Sequence, residues 1–291
     1  MKKNALLLGC LLLLIQVSFA QNMPDPVAET DYFKFGQWTA EDKSAIVFAD
    51  VCNVRSAPDT KSEVVGKLTI GTTVQLLELS SAFTQSGIAS QWIKIKTASV
   101  MGYVWGGLLT NATVKLPDGR LALWGLTEIK PAANGQSKVY ASIRVADKGT
   151  VAAKHDFEVK YGSNPDEGSL SLSPPPALSG VKGILTFNTL SEACGVYASE
   201  HYLLYTAEGR LFFIGSGFGM GDGGQLHTSK AYVFPYIGGD TRNFHYSPSK
   251  DHIFLIEDDG SYNDDCIWIE TYRVKDFSWS IGLGLTPNCE Y

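Results

Sequence analysis

Residues 53–58 read N-V-R-S-A-P, and this turn, together with four short segments after it, decides the fold of the first third of the chain. The segments are V-V-G-K-L at 64–68, I-G-T-T-V at 70–74, W-I-K-I at 92–95 and G-Y-V-W at 102–105. Apolar residues alternate within them and Gly or Pro lies between them, a pattern typical of short strands joined by turns. Strands of this length and spacing predict a small, partly open barrel whose interior is filled by side chains.

Taken in order, the turn, the glycines and the closing aromatic strand resemble the bacterial SH3-type (SH3b) domain over residues 45–111. The resemblance implies a binding module for cell-wall peptidoglycan or for a peptide. We expect Asn53 and Arg55 to order the first turn through hydrogen bonds to the backbone, and both are also candidate ligand contacts. Tyr103 and Trp105 lie two residues apart and share one face, so one is expected in the core and the other in a shallow groove.

The remainder of the chain, residues 112–291, is predicted to form a second, larger all-β domain, either a sandwich or a meander. Residues 202–214 predict a hairpin whose turn contains a glycine. The three prolines at 174–176 predict a loop or an edge strand, because proline cannot donate to a central ladder. Two further segments are predicted to be irregular, namely a long loop at 80–91 and a flexible, glycine-rich loop at 215–224.

The first twenty residues predict a secretory signal peptide. Lys2 and Lys3 precede an apolar run, and small residues occupy the two positions that a signal peptidase reads before cleavage after Ala20. We therefore expect a periplasmic or secreted protein, in which residues 21–44 form an N-terminal arm. The alternative is a lipoprotein modified at Cys10, although most of the apolar run follows that cysteine instead of preceding it.

Composition narrows the range of partners. The chain has 24 Lys and Arg against 30 Asp and Glu, a net charge of −6, and its sequence contains no Lys/Arg cluster. A basic stripe is what nucleic acids and anionic membranes require, so neither is expected as a partner. No segment after the signal region is long and apolar enough to span a bilayer, so the chain is not expected to be an integral membrane protein.

Four cysteines follow the signal region, and an oxidising compartment allows three pairings among them. Cys194, Cys266 and Cys289 lie in the C-terminal region, so one disulfide is expected there, as Cys266–Cys289 or Cys194–Cys266. Cys52 precedes the N-V-R turn, where the SH3b family usually has a buried leucine. Cys52 is therefore interpreted as a small buried apolar side chain.

A catalytic C-terminal domain is the alternative to a second binding domain. Cys194 could serve as a nucleophile, with His201 or His227 as its base. A structural disulfide explains Cys194 more simply, since the segment lacks the D-C-S-G context of papain-like peptidoglycan peptidases. The histidines also lack the spacing of a zinc site, so no catalytic residue is assigned.

The densest group of oxygen ligands lies between Asp259 and Asp265, the two candidate metal ligands. Polar residues alternate there as in a calcium loop, and Glu270 falls at the twelfth position. However, Asp264 replaces the glycine of the sharp turn, and the flanking segments are strands, so a solvated hairpin turn is the preferred interpretation. No cofactor is expected, with calcium as the alternative.

The sequence therefore predicts an all-β, secreted or periplasmic, non-catalytic binding protein whose SH3b-like module binds peptidoglycan or a peptide. The alternative is a cell-envelope hydrolase with a catalytic C-terminal domain that the module brings to its substrate.

Overall fold

The computed structural model describes residues 38–110, 112–131, 137–159, 164–190, 198–222, 226–234, 252–262, 268–280 and 284–290. Within these residues the fold is all-β, as predicted, and the single turn of 3-10 helix, Gly106–Leu108, is the exception. The described part of the chain contains no helix that is long and apolar enough to cross a membrane.

The first sheet has seven antiparallel strands in the order β3-β2-β6-β5-β4-β1-β7. The sheet curls into the predicted half-open barrel, with the first strand between the fourth and the seventh. The strands are β1 Ser44–Val47, β2 Val51–Arg55, β3 Val64–Thr69, β4 Thr73–Gln85, β5 Ile88–Lys96, β6 Met101–Trp105 and β7 Leu109–Thr110.

Alternate side chains of these strands point inward and form the barrel core. Cys52 and Val54 on β2, Ile93 and Ile95 on β5 and Val104 on β6 are all fully buried. Because successive residues of a strand face opposite sides, their neighbours must lie on the outer face of the barrel. The alternation visible in the sequence therefore determines which residues a ligand can reach.

The predicted loop at 80–91 is wrong, because β4 and β5 form one long hairpin that includes it. Ser86 and Gly87 make the two-residue turn, with φ of 52° and 77°, as the twist of a tight hairpin requires. The tip of the hairpin extends beyond the barrel, where the N–H of Ile129 donates to the Ser86 carbonyl at 2.9 Å. Small and polar residues can remain in strands here because the hairpin packs on a neighbouring sheet.

Two further antiparallel sheets follow in chain order. The second sheet has the order β11-β10-β9-β8 and consists of β8 Thr113–Lys115, β9 Leu121–Pro131, β10 Ser137–Asp147 and β11 Thr150–Val159. The third sheet is a meander of eight consecutive strands: β12 Asn164–Ser173, β13 Val181–Leu190, β14 Ala198–Thr206, β15 Leu211–Asp222, β16 Leu226–Val233, β17 His252–Tyr262, β18 Trp268–Ser280 and β19 Gly284–Glu290.

The third sheet confirms one predicted hairpin and corrects one predicted loop. β14 and β15 form the hairpin expected at 202–214, and the proline segment follows the edge strand β12. The flexible loop expected at 215–224 is wrong up to residue 222, because β15 continues through it. A Cβ on Gly217 would lie 2.5 Å from the Lys230 carbonyl oxygen and 3.1 Å from the Tyr202 ring, so this glycine leaves room for its neighbours on the sheet surface.

The three sheets share one hydrophobic core. Trp92 and Trp105 of the first sheet belong to it, with Ile143 of the second and Phe187 of the third. The Trp124 ring meets the Phe187 ring edge-on at 4.7 Å, which joins the second sheet to the third. The predicted domain boundary after residue 111 stays a prediction, but a continuous core crosses that position.

Candidate functional site

One row of paired residues crosses the outer face of the first sheet. Val64 of β3 pairs with Arg55 of β2, which pairs with Tyr103 of β6, and this tyrosine pairs in turn with Lys94 of β5. Lys94 also pairs with Glu78 of β4, so five strands contribute one residue each. We call these five residues the Tyr103 row. Directly paired side chains on one face lie close enough to contact the same ligand.

Further cations lie on the same outer face. Lys67 pairs with Asn53, and Lys96 pairs with Met101, whose side chain is 57% exposed. Together with Arg55 and Lys94, these lysines place four cations around Tyr103, whereas the Tyr103 row contains one carboxylate, that of Glu78. Among the described residues, none of the four cations forms an ion pair. The outer face is therefore locally basic in a protein whose net charge is −6.

The sequence did not reveal this basic face. Arg55, Lys67, Lys94 and Lys96 are scattered over 42 positions and form no run of charges. The sequence indicated only that these residues face outward, because they alternate with buried residues along their strands. However, only the strand order places β2, β6 and β5 side by side and brings these cations together.

Arg55 has the predicted structural role and a place in the Tyr103 row. Its Nη1 donates to the carbonyl of Ser62 at 2.6 Å, which fastens the turn between β2 and β3. Asn53 differs, because its Oδ1 is buried and has no hydrogen-bond partner among the described residues. The expected hydrogen bond to the turn is therefore seen for Arg55 but not for the Asn53 oxygen.

Tyr103 and Trp105 share one face, but their surroundings differ. Tyr103 is partly exposed, and the ammonium of Lys94 lies 5.9 Å from the centroid of its ring. Trp105 is only 4% exposed, and its Nε1–H donates to the carbonyl of Phe83 at 3.0 Å. The hairpin β4–β5 covers Trp105, so Tyr103 is the aromatic side chain that a ligand can reach.

The candidate metal ligands do not lie in a described calcium loop. Asp259 belongs to β17, where its backbone pairs with Thr271 of β18, so it lies in a strand and not in the turn that the sequence predicts. Asp265 lies outside the described residues. Among the residues whose side chains the structure describes, no three His, Cys, Asp or Glu side chains come together as a metal site would require.

The candidate nucleophile and disulfide partners are described only in part. Cys194 and Cys266 lie outside the described residues, and for Cys289 only the backbone is described, in β19 opposite Asp276. The disulfide therefore stays a prediction. Cys52 is buried as expected and carries a free thiol, and burial raises its pKa to about 12.

His201, the candidate base, lies in an aromatic core. It is 3% exposed, and its ring centroid lies 4.5 Å from that of Phe157 and 5.9 Å from that of Phe187. Its Nδ1 lies 2.9 Å from the Ser216 hydroxyl. These contacts describe a packed histidine between the second and third sheets, and they give no access to a substrate.

Comparison with known proteins agrees with the geometry of the first sheet. Residues 50–110 match the family model described as Bacterial SH3 domain. Residues 50–110 therefore form a bacterial SH3-type (SH3b) domain, and the match does not characterise the C-terminal region. An SH3b domain indicates a module that binds cell wall or peptidoglycan. No curated protein and no solved structure matches the chain.

Proposed function

We propose that this is a non-catalytic cell-envelope protein that binds peptidoglycan, or a peptide, through the outer face around Tyr103. The observation that carries the proposal is the Tyr103 row, in which a partly exposed aromatic ring lies between Arg55 and Lys94. Cations beside a flat ring provide charge attraction and contact area in the same place.

The chemistry of the ligand fits this face. Peptidoglycan stem peptides present carboxylates and amide groups along a short extended backbone. Lys67 and Lys96 flank the row, so a carboxylate can meet a cation at several positions along the face. Tyr103 and the exposed side chain of Met101 offer apolar contact to the small side chains of such a peptide.

The proposed location rests on the N-terminal sequence. Residues 1–20 have the charge, apolar run and small residues of a signal peptide, and cleavage after Ala20 would release a mature chain that begins at Gln21. A disulfide among Cys194, Cys266 and Cys289 suits the same oxidising compartment. Mass spectrometry of the exported protein measures both the new N-terminus and the pairing.

The test of function is co-sedimentation of the mature chain, residues 21–291, with purified peptidoglycan sacculi. Tyr103→Ala removes the ring, and Lys94→Gln removes one neighbouring charge while keeping the length of the side chain. Lys115→Gln is the matched control, because it removes an exposed charge from β8, outside the first sheet. We expect Tyr103→Ala to weaken binding about tenfold, equivalent to about 1.4 kcal/mol, and the control to bind unchanged.

Salt gives an independent readout, because screening weakens attraction between exposed charges. Binding of the unaltered chain should fall as the NaCl concentration rises, and Lys94→Gln should reduce this dependence. Peptidoglycan binding is refuted if the unaltered chain does not sediment, and the role of the outer face is refuted if Tyr103→Ala sediments as well as the control.

A further inference from the structure

Three turns enclose an open cleft of about 540 Å³ at the joint between the first and second sheets. The first turn, residues 70–72, joins β3 to β4. The second, residues 118–120, joins β8 to β9, and the third joins β10 to β11 through Lys148 and Gly149. A volume of this size suits a small molecule, and boundaries between structural units are common places for such sites.

Tight packing fixes the base of the cleft. Gly71 and Gly149 both have φ of 82°, and a Cβ on Gly149 would lie 2.7 Å from the Thr69 hydroxyl. Below them Ile70 and Ala146 are buried in a small apolar cluster that links the two sheets. The cleft therefore has a firm, apolar floor, which a ligand does not have to order when it binds.

One wall is held by a network of hydrogen bonds. Asp118 Oδ2 accepts hydrogen bonds from Arg120 Nε at 3.0 Å, from Arg120 Nη2 at 2.6 Å and from the Tyr205 hydroxyl at 2.5 Å. The guanidinium lies against Gly209, where a Cβ would collide with it. Arg120 is thus held in place while its Nη1 has no hydrogen-bond partner among the described residues.

The other wall presents two opposite charges on adjacent residues. Asp147 ends β10 and Lys148 follows it in the turn, with φ of 49°. Both line the cleft, and neither forms an ion pair with any described residue. The cleft therefore presents two carboxylates, Asp118 and Asp147, and two cations, Arg120 and Lys148. Asp118 and Arg120 are already paired with each other, which leaves Asp147 and Lys148 as the unpaired charges among the described residues of the cleft.

We propose that this cleft binds a small zwitterion, namely a free α-amino acid with a short apolar side chain. Its carboxylate would pair with Lys148 and Arg120 Nη1, its ammonium with Asp147, and its side chain would lie on the floor at Gly71 and Gly149, above the buried Ile70 and Ala146. Charge-assisted hydrogen bonds at both ends select a molecule that carries both charges. The site is separate from the Tyr103 row, so this inference does not depend on the proposed function.

The probe is alanine, titrated into the ¹⁵N-labelled mature chain while amide NMR signals are followed. Gly71, Gly119 and Gly149 line the cleft, and their amides should shift together and saturate with a Kd of about 1 mM. Acetate and methylammonium each carry only one of the two charges, so neither should produce saturable shifts over the same concentrations.

Two surface variants identify the site. Asp147→Asn and Lys148→Gln should each raise the Kd for alanine at least tenfold, while the dispersion of the remaining signals shows that the fold is retained. Lys138→Gln, an exposed substitution on β10 of the same sheet, is the control and should bind alanine normally. Shifts that do not saturate, equal shifts with acetate, or normal binding by Asp147→Asn would each overturn the proposal.

Discussion

Replacing Trp105 with alanine should destabilise the whole chain. The side chain is 4% exposed and stacks edge-on with Phe83, with ring centroids 6.2 Å apart. It lies opposite Trp92 on β5 and belongs to the core that all three sheets share. The substitution removes these contacts and also leaves the Phe83 carbonyl without the donor that lies 3.0 Å away.

The size of the effect follows from burial. Truncating a buried tryptophan to alanine costs about 3–5 kcal/mol, because transfer free energy is lost and a cavity remains. Urea unfolding of a domain has a slope of roughly 3 kcal/mol per molar at the upper end of the usual range. A loss of about 4 kcal/mol therefore lowers the urea midpoint by roughly 1.3 M. This is a large part of the stability of a typical protein.

The assay is urea unfolding of residues 21–291, followed by tryptophan fluorescence and by far-ultraviolet circular dichroism. The two probes should give coincident transitions, because one core joins the three sheets. Tyr103→Ala is the matched control, since Tyr103 lies two residues away on the same strand and face but is partly exposed. We expect it to cost about 1 kcal/mol. The reasoning is refuted if both variants unfold at the same urea concentration.

Three further predictions concern a carboxylate, a turn and a thiol. A hydrogen bond from Arg120, and a weaker contribution from Tyr205, lower the pKa of Asp118 in the folded state. The ionised Asp118 carboxylate therefore stabilises the fold above its unfolded pKa of about 4, and this stabilisation is lost as the pH falls below that value. Asp118→Asn should flatten the pH dependence of urea midpoints below about pH 5, and an unchanged dependence would contradict this assignment. Gly87→Ala places a Cβ against the Ile129 backbone at a φ of 77°. We expect the free energy of unfolding to fall by at least about 1–2 kcal/mol, measured by thermal unfolding. A wild-type melting temperature would contradict this prediction. Cys52 should resist iodoacetamide in the native protein and react in urea, as peptide mass spectrometry would show; rapid native labelling would mean that the thiol is accessible.

Local sequence was sufficient for much of the first sheet. The alternation in W-I-K-I correctly placed Ile93 and Ile95 inside and Lys94 outside, because side-chain direction along a strand has a period of two. The N-V-R-S-A-P turn and the glycine at the β14–β15 turn were also local signals. These features depend on a few neighbouring residues, so a sequence pattern can report them.

Two segments that were predicted to be loops lie in strands. Their small residues and glycines favour a loop locally, but pairing with neighbouring strands holds them in the sheets. Apart from the turn at Ser86 and Gly87, residues 80–91 lie in strands, and the hairpin tip contacts β9 at Ile129. The glycines of 215–222 lie in a strand because β14 and β16 pair with it on both sides. Side chains of these two strands, Tyr232 and Tyr202, occupy the space beside Gly215 and Gly217. Backbone pairing outweighed local propensity in both cases.

The sequence by itself determined the strand pattern, the turns and the inward or outward direction of each side chain in the barrel. Only the tertiary structure decided which outward residues stand together. Arg55, Tyr103 and Lys94 meet because β6 lies between β2 and β5. Trp105 is withdrawn from solvent because the β4–β5 hairpin covers it. Likewise, Asp118, Asp147 and Lys148 line one cleft because separate turns converge. Strand order and sheet packing are long-range properties, and no local period in a sequence encodes them.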